Sequence, residues 1–155
     1  MARIVREQLI PATAAQVWPL VDDPAKMAQW FAFADRMELI EGSGLGRRQR
    51  LYGHWGSKRS EIDQQIIAYD PPTRLAWRHE AERLDGKPAP RFAAETIFTI
   101  ELAPSNHATV VRLTSAQRPA GLFQGLVMRA FGTREIEQNL DRSLRALAQH
   151  FGSTA

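Results

Sequence analysis

Between residues 36 and 119 the chain changes character at short, regular intervals. Stretches of alternating apolar and polar residues are broken by Gly42-Ser43-Gly44-Leu45-Gly46, Gly56-Ser57, Asp70-Pro71-Pro72, Asp85-Gly86 and Pro104-Ser105-Asn106. Segments this short, joined by turns this tight, pair as antiparallel hairpins, because a parallel neighbour needs a long crossover connection. The spacing predicts strands over 36–41, 47–55, 58–69, 73–82, 91–102 and 107–116. Another strand covers 3–10 and stops at Pro11. After Pro119 the apolar residues fall at helical spacing: Leu122, Leu126, Val127, Ala130, Phe131, then Ile136, Leu140, Leu144, Leu147 and Phe151. That pattern predicts a long C-terminal helix of roughly 30 residues, with a kink or break at Gly132-Thr133.

Two short helices are expected after the first strand. Thr13 and Gln16 match the S/T-x-x-E/Q capping box ahead of Val17, Trp18, Leu20 and Val21. Pro19 is expected to end or kink that helix early. Asp23-Pro24 supplies an N-cap and a first-turn proline for the second, whose apolar side carries Met27, Trp30, Phe31 and Phe33. The order β-α-α-β-β-β-β-β-β-α makes an α+β fold: an antiparallel sheet of about seven strands with helices on one face. At 155 residues, without linker, repeat or composition shift, residues 1–155 read as one domain.

Composition narrows the function. The chain has no cysteine, which excludes disulfide frameworks, thiolate metal sites and cysteine nucleophiles and favours a cytoplasmic setting. The net charge of +3 is spread along the chain, unlike the dense basic stripe of a nucleic-acid binder, so no nucleic acid is expected. No run approaches 18 uncharged apolar residues, so no membrane span is expected, and the N-terminus lacks the apolar core of a secretory signal. The glycine loop at 42–46 joins two strands and lacks the Lys-Ser/Thr of a phosphate loop. His54, His79, His107 and His150 share no metal-binding spacing, so neither metal nor cofactor is expected. Nothing in the pattern sets an oligomeric state.

Several motifs resemble the START/SRPBCC superfamily, in its polyketide cyclase/dehydrase-like and lipid-transport-like branch. They are Ile10-Pro11-Ala12, Val17-Trp18, Asp22, Pro24, Trp30, Gly46, Ile66-x-x-x-Asp70-Pro71-Pro72-x-Arg74-Leu75, Thr109-x-Val111 and Leu144-x-x-Leu147. The resemblance spans essentially the whole chain. It implies a helix-grip fold, in which a curved antiparallel sheet wraps the long C-terminal helix and leaves a cavity between them. The superfamily includes lipid and sterol carriers, hormone receptors, quinone chaperones, aromatase/cyclases and oxygenase subunits, so the fold alone does not select a function.

Hairpin register predicts which side chains face that cavity. A turn at Gly56-Ser57 places Gln49 opposite Gln64, Leu51 opposite Ile62 and Arg50 opposite Asp63. Opposite charges facing each other contribute about 0.2–1 kcal/mol and argue against a one-residue slip. The outer face then carries Arg48, Arg50, Tyr52, His54, Glu61, Asp63 and Gln65. The inner face carries Gln49, Leu51, Gly53, Trp55, Ile62, Gln64 and Ile66. The next hairpin places Arg78 opposite Glu95 outside, with Leu75, Trp77, His79, Ala94, Thr96 and Phe98 inside. Val111, Leu113 and Ser115 follow from the last strand, and Leu126 from the C-terminal helix. An apolar, aromatic wall with few polar groups suits a lipid, quinone, sterol or polyketide-like ligand.

His79, the one titratable group in this inner set, reads either as a general acid/base or as a hydrogen-bonded core histidine. Gln49 and Gln64 either hold a ligand carbonyl or satisfy each other. Trp55 and Trp77 either stack on a planar ligand or pack the core; Trp30 and Phe31 either form a lid or cap the sheet. Arg129, Arg134, Arg142 and Arg145 read as the solvated face of the last helix, with transient contact to a membrane surface as the alternative. Three functions follow: a hydrophobic-ligand binder or carrier, a cyclase/dehydratase using His79, and a chaperone-activator-like module that binds a partner through its surface.

Overall fold

Thr13 sets where the first helix begins. Its Oγ1 accepts from the Gln16 backbone N–H at 3.2 Å, and Gln16 Oε1 accepts from the Thr13 N–H at 2.8 Å. The computed structural model describes residues 2–89, 93–121 and 132–152. In it, strand β1 (Ala2–Ile10) leads through this cap into α1 (Ala14–Asp22). Pro19 does not end α1, contrary to the sequence expectation; the helix runs on to Asp22. Pro19 and Ala15, whose carbonyl loses its helical partner, are both exposed, so water can replace the missing bond.

Asp23 caps α2 (Pro24–Met27), its Oδ1 accepting from the Ala25 N–H at 2.9 Å. This helix has only four residues. Trp30, Phe31 and Phe33, expected on it, lie in the turns that follow. The Trp30 indole N–H donates to the Leu20 carbonyl at 2.8 Å, tying those turns to α1.

The sheet contains β2 (Arg36–Glu41), β3 (Arg48–Trp55), β4 (Lys58–Asp70), β5 (Arg74–Leu84), β6 (Lys87–Pro88), β7 (Ala93–Ser105) and β8 (Ala108–Pro119). Its order is β1-β8-β7-β5-β4-β3-β2, with β6 beside β5, and every pairing is antiparallel. Strand β6 follows a tight turn at Asp85 (φ 50°) and Gly86 (φ 80°), within the 83–90 stretch left between two expected strands. The last hairpin turns at Asn106 and His107, both at positive φ, so β7 runs on through Pro104 and Ser105, which were expected in the turn, and β8 starts at Ala108.

The β3–β4 register is the expected one, with Gln49 facing Gln64, Arg50 facing Asp63 and Leu51 facing Ile62. The β5–β7 register is not. Arg78 faces Ile97, and Glu95 instead faces Arg118. The connection between β5 and β7 holds the β6 hairpin, so counting across it as a simple turn misplaces the pairs by two residues. A two-residue slide preserves the face, and Trp77, Thr96 and Phe98 remain inside; Ala94, at the strand's start, is exposed. Register shifts between Asp63 and Gln64 and between Ile66 and Ala68 interrupt the β4–β5 ladder; such bulges bend and twist a sheet.

The outer face carries an ion-pair network. Asp63 accepts from Arg50 at 2.7 Å and from Arg83 at 2.9 Å, and Arg83 also reaches Glu61 at 3.0 Å. Partial burial would raise the Asp63 carboxyl, but hydrogen bonds from Arg83 and Arg50 outweigh it and hold it below the usual carboxylate range. The guanidinium groups of Arg50 and Arg83 are both raised, first through their hydrogen bonds to Asp63.

Helix α3 (Thr133–His150) buries Leu140, Ser143, Leu144, Leu147 and Ala148, a stripe at helical spacing. Arg6 of β1 anchors it by ion pairs to Glu137 (3.0 Å) and Asp141 (3.4 Å). Ser143 Oγ accepts from the Ala32 N–H at 2.8 Å, joining α3 to the segment after α2. The expected helical stretch before Gly132, Leu126 included, lies outside the described residues. No described helix is long and apolar enough to cross a membrane.

Candidate ligand site

The glycine loop that precedes β3 delivers a charged side chain to the interior. Gly46 donates to the Ile66 carbonyl at 2.9 Å, and Ile66 donates to the Arg47 carbonyl at 2.8 Å, which pins the Arg47 backbone beside Ile66 of β4. Gly42, Gly44 and Gly46 all take positive φ, the backbone such a bend requires. Arg47 is only 6% exposed. Its Nη1 meets Asp22 Oδ1 at 2.9 Å, while Nε and Nη2 donate to Gln49 Oε1 at 3.2 and 3.1 Å. Gln49 Nε2 then donates to Gln64 Oε1 at 2.8 Å. The Tyr69 hydroxyl donates to the other Asp22 oxygen at 3.0 Å; burial, then the hydrogen bond to Asp22, raises that phenol above its usual range.

His79 is therefore not the sole titratable group directed inward. Arg47 was legible in the sequence, since it shares the parity of Gln49 and Leu51 and extends the same register by one pair. Asp22 was not, because it arrives from α1 and no strand register includes it.

Beside this relay lies an aromatic cluster. Trp77 and Phe98 stack with centroids 5.0 Å apart and planes at 14°. Phe31 stands edge-on to both, at 5.6 and 5.2 Å, and Phe33 lies 5.0 Å from Phe31. Gly53 makes this approach possible. A Cβ there would sit 2.6 Å from the Phe33 carbonyl oxygen, so another side chain would push the segment off β3.

Of the residues the sequence pointed to, Trp30, Gln49, Leu51, Gln64, Ile66, Trp77, Thr96, Phe98, Val111 and Leu113 are all buried. Trp55 is not. It shares the inner parity but ends β3 at the hairpin, and it is 52% exposed. Alternation decides the face; what covers that face decides burial.

His79 faces Gln64 across the β4–β5 ladder, with its side chain 18% exposed. Its Nδ1 lies 2.9 Å from Glu82 Oε1. A carboxylate only accepts, so this contact places the proton of the neutral imidazole on Nδ1 and leaves Nε2 as a base. His79 and Thr96 line an open cavity of about 180 Å³, together with Glu82, Pro88 and Ala89. The cavity lies where β5 parts from β7 and takes β6 as its neighbour.

A bent antiparallel sheet closed by a C-terminal helix over its concave face, with two short helices after the first strand, defines the helix-grip architecture. Residues 1–152 match the model of the family described as polyketide cyclase / dehydrase and lipid transport, and the chain belongs to that family, within the START/SRPBCC superfamily. No curated protein matches it. Among solved structures, it is similar to protein TTHA0849 of Thermus thermophilus, with a TM-score of 0.75 and 16% identity, covering 99% of this chain and 100% of that one. It is also similar to the ZhuI aromatase/cyclase of Streptomyces sp. R1128 (TM-score 0.75, 19% identity, 97% and 93% covered). Ara h 8.0201 gives a TM-score of 0.72 at 14% identity, with 99% of each chain covered. At these identities the likeness is one of fold.

Proposed function

We propose that this chain binds a hydrophobic small molecule, of the lipid, quinone, sterol or polyketide-like kind, between the inner face of the sheet and the C-terminal helix. One arrangement carries the reading: Gln49, Gln64, Thr96 and Ser115, with Arg47 at the start of β3, are buried on a face made mostly of apolar and aromatic side chains. Buried amides add little to a core whose only task is stability. A few polar groups within an apolar wall are what a site needs to orient an apolar ligand. Burial of the ligand supplies affinity at ~25 cal/mol per Å² before the costs of association. Family membership supports the same reading, and the proposed setting is the cytoplasm. The test is native mass spectrometry of the purified protein with solvent extraction. A stoichiometric apolar compound supports binding; a ligand-free protein that also ignores apolar fluorescent probes overturns it.

The His79–Glu82 contact favours a second reading, a cyclase or dehydratase in which His79 Nε2 removes a proton from a poly-keto substrate held in the same site. On that reading His79→Ala abolishes aromatic product formation from a poly-β-keto thioester while ligand binding persists; unchanged turnover removes His79 from the chemistry. The partner-binding reading has less support. The exposed Val5 and Leu9 lie on β1 and the exposed Leu39 and Ile40 on β2, at opposite ends of the strand order.

A further inference from the structure

The buried relay has a direction that chemistry imposes. A guanidinium has donors and no acceptor, so Arg47 obliges Gln49 to turn its Oε1 toward it. The amide of Gln49 must then face Gln64, and Gln64 must present its own Oε1 in return. What remains at the end of the chain is a donor, Gln64 Nε2. It has no hydrogen-bond partner among the described residues, and Gln64 is 1% exposed. The positive charge at the root of the relay polarises each amide in turn, which strengthens the terminal N–H as a donor.

A second unpaired donor comes from the neighbouring strand. Trp77 is also 1% exposed, and its indole Nε1 has no partner among the described residues. Gln64 faces His79 on β5, and Trp77 is the preceding inward residue of that strand. The two donors therefore come from diagonal positions on neighbouring strands, about 7–8 Å apart at the backbone and within reach of long side chains. The stacked Phe98 and edge-on Phe31 make the surroundings of the indole apolar. Buried polar groups are nearly always paired in native proteins, and here two buried donors from neighbouring strands of one face both go unpaired among the described residues.

We propose that Gln64 Nε2 and Trp77 Nε1 together bind one acceptor oxygen, the carbonyl of a ketone or quinone carried on a planar apolar body. This rests on the hydrophobic-ligand reading and adds the polarity of the ligand: an oxygen that accepts and brings no hydrogen of its own. A hydroxyl would present a hydrogen to two groups that are themselves donors, and an amine would be matched less well.

The test uses 9-fluorenone and fluorene, planar molecules of the same shape that differ by that oxygen. Binding of each to the wild type and to Trp77→Phe is measured by calorimetry, with circular dichroism to confirm folding. The ratio of the two affinities cancels whatever the smaller ring costs both probes. The wild type is expected to prefer fluorenone about tenfold and Trp77→Phe about threefold, as two net hydrogen bonds and then one would give. Independently of any variant, the carbonyl stretch of fluorenone bound to wild type should fall to lower frequency than in an alkane. Equal binding of the two probes, or an unshifted stretch, overturns the carbonyl site while leaving an apolar site standing. Binding of neither probe overturns both readings.

Discussion

Because the relay runs one way, its two glutamines are unequal in energy although they are hydrogen-bonded neighbours. Gln49→Leu removes the oxygen that Arg47 uses through Nε and Nη2, and the donor that Gln64 Oε1 uses. It strands a charged donor group and an amide oxygen, both buried. At about 1–3 kcal/mol for each orphan, and more for a charged one, the loss is about 3–5 kcal/mol. The leucine returns about 2 kcal/mol by burial, leaving a net loss of about 1–3 kcal/mol. Gln64→Leu strands Gln49 Nε2 but deletes the unpaired Gln64 Nε2. The number of buried orphans is unchanged, and the leucine's return of about 2 kcal/mol is offset by about 1 kcal/mol for the lost hydrogen bond, so the expected effect is within about 1 kcal/mol of zero. For a chain this long, each kcal/mol moves Tm by about 2–4 °C. Gln49→Leu should therefore melt roughly 2–12 °C lower, with Gln64→Leu within about 4 °C of the wild type. Calorimetry on refolded, ligand-free protein with urea titration as a second measure reads both. Equal losses, or a larger loss for Gln64→Leu, would refute the directional relay.

Two further outcomes are expected. Asp63 has a lowered folded-state pKa, so its stabilising effect is complete above about pH 4 and drains away as pH falls through that lowered value. The stability gap between wild type and Asp63→Asn, measured by urea titration at a series of pH values, should therefore narrow from about pH 4 downward; a gap that stays constant removes Asp63 from the account. Gly53→Ala should cost about 1–3 kcal/mol and weaken the near-ultraviolet dichroism of the aromatic cluster, because its Cβ would meet the Phe33 carbonyl at 2.6 Å. An unchanged spectrum and melting temperature would show that the segment yields freely.

Much of this molecule was legible in the chain itself. The capping box at Thr13, the cap at Asp23 and the tight turn at Gly56-Ser57 depend on residues within a few positions of each other, so local chemistry specifies them. Strand alternation together with that one turn was enough to bring Gln49 to Gln64 and Arg50 to Asp63, and the parity of Leu51, Ile66 and Trp77 placed them inside. The same alternation applied to Arg47 leads to the relay's root. What alternation could not supply is coverage and contact between distant segments. Trp55 has the inner parity yet stands half in water, because β3 ends there at the hairpin. The β5–β7 pairing slid by two residues because the intervening segment folds on itself as β6. Asp22 reaches Arg47, and Ser143 takes the N–H of Ala32, only once α1 and α3 have packed on the sheet. Which donors stay unpaired is decided at that same level, since an orphan is defined by everything that fails to reach it. Short-range sterics and hydrogen bonding write the elements and their faces, whereas the burial of one element by another, and the polar pairs that burial forces, exist only in three dimensions.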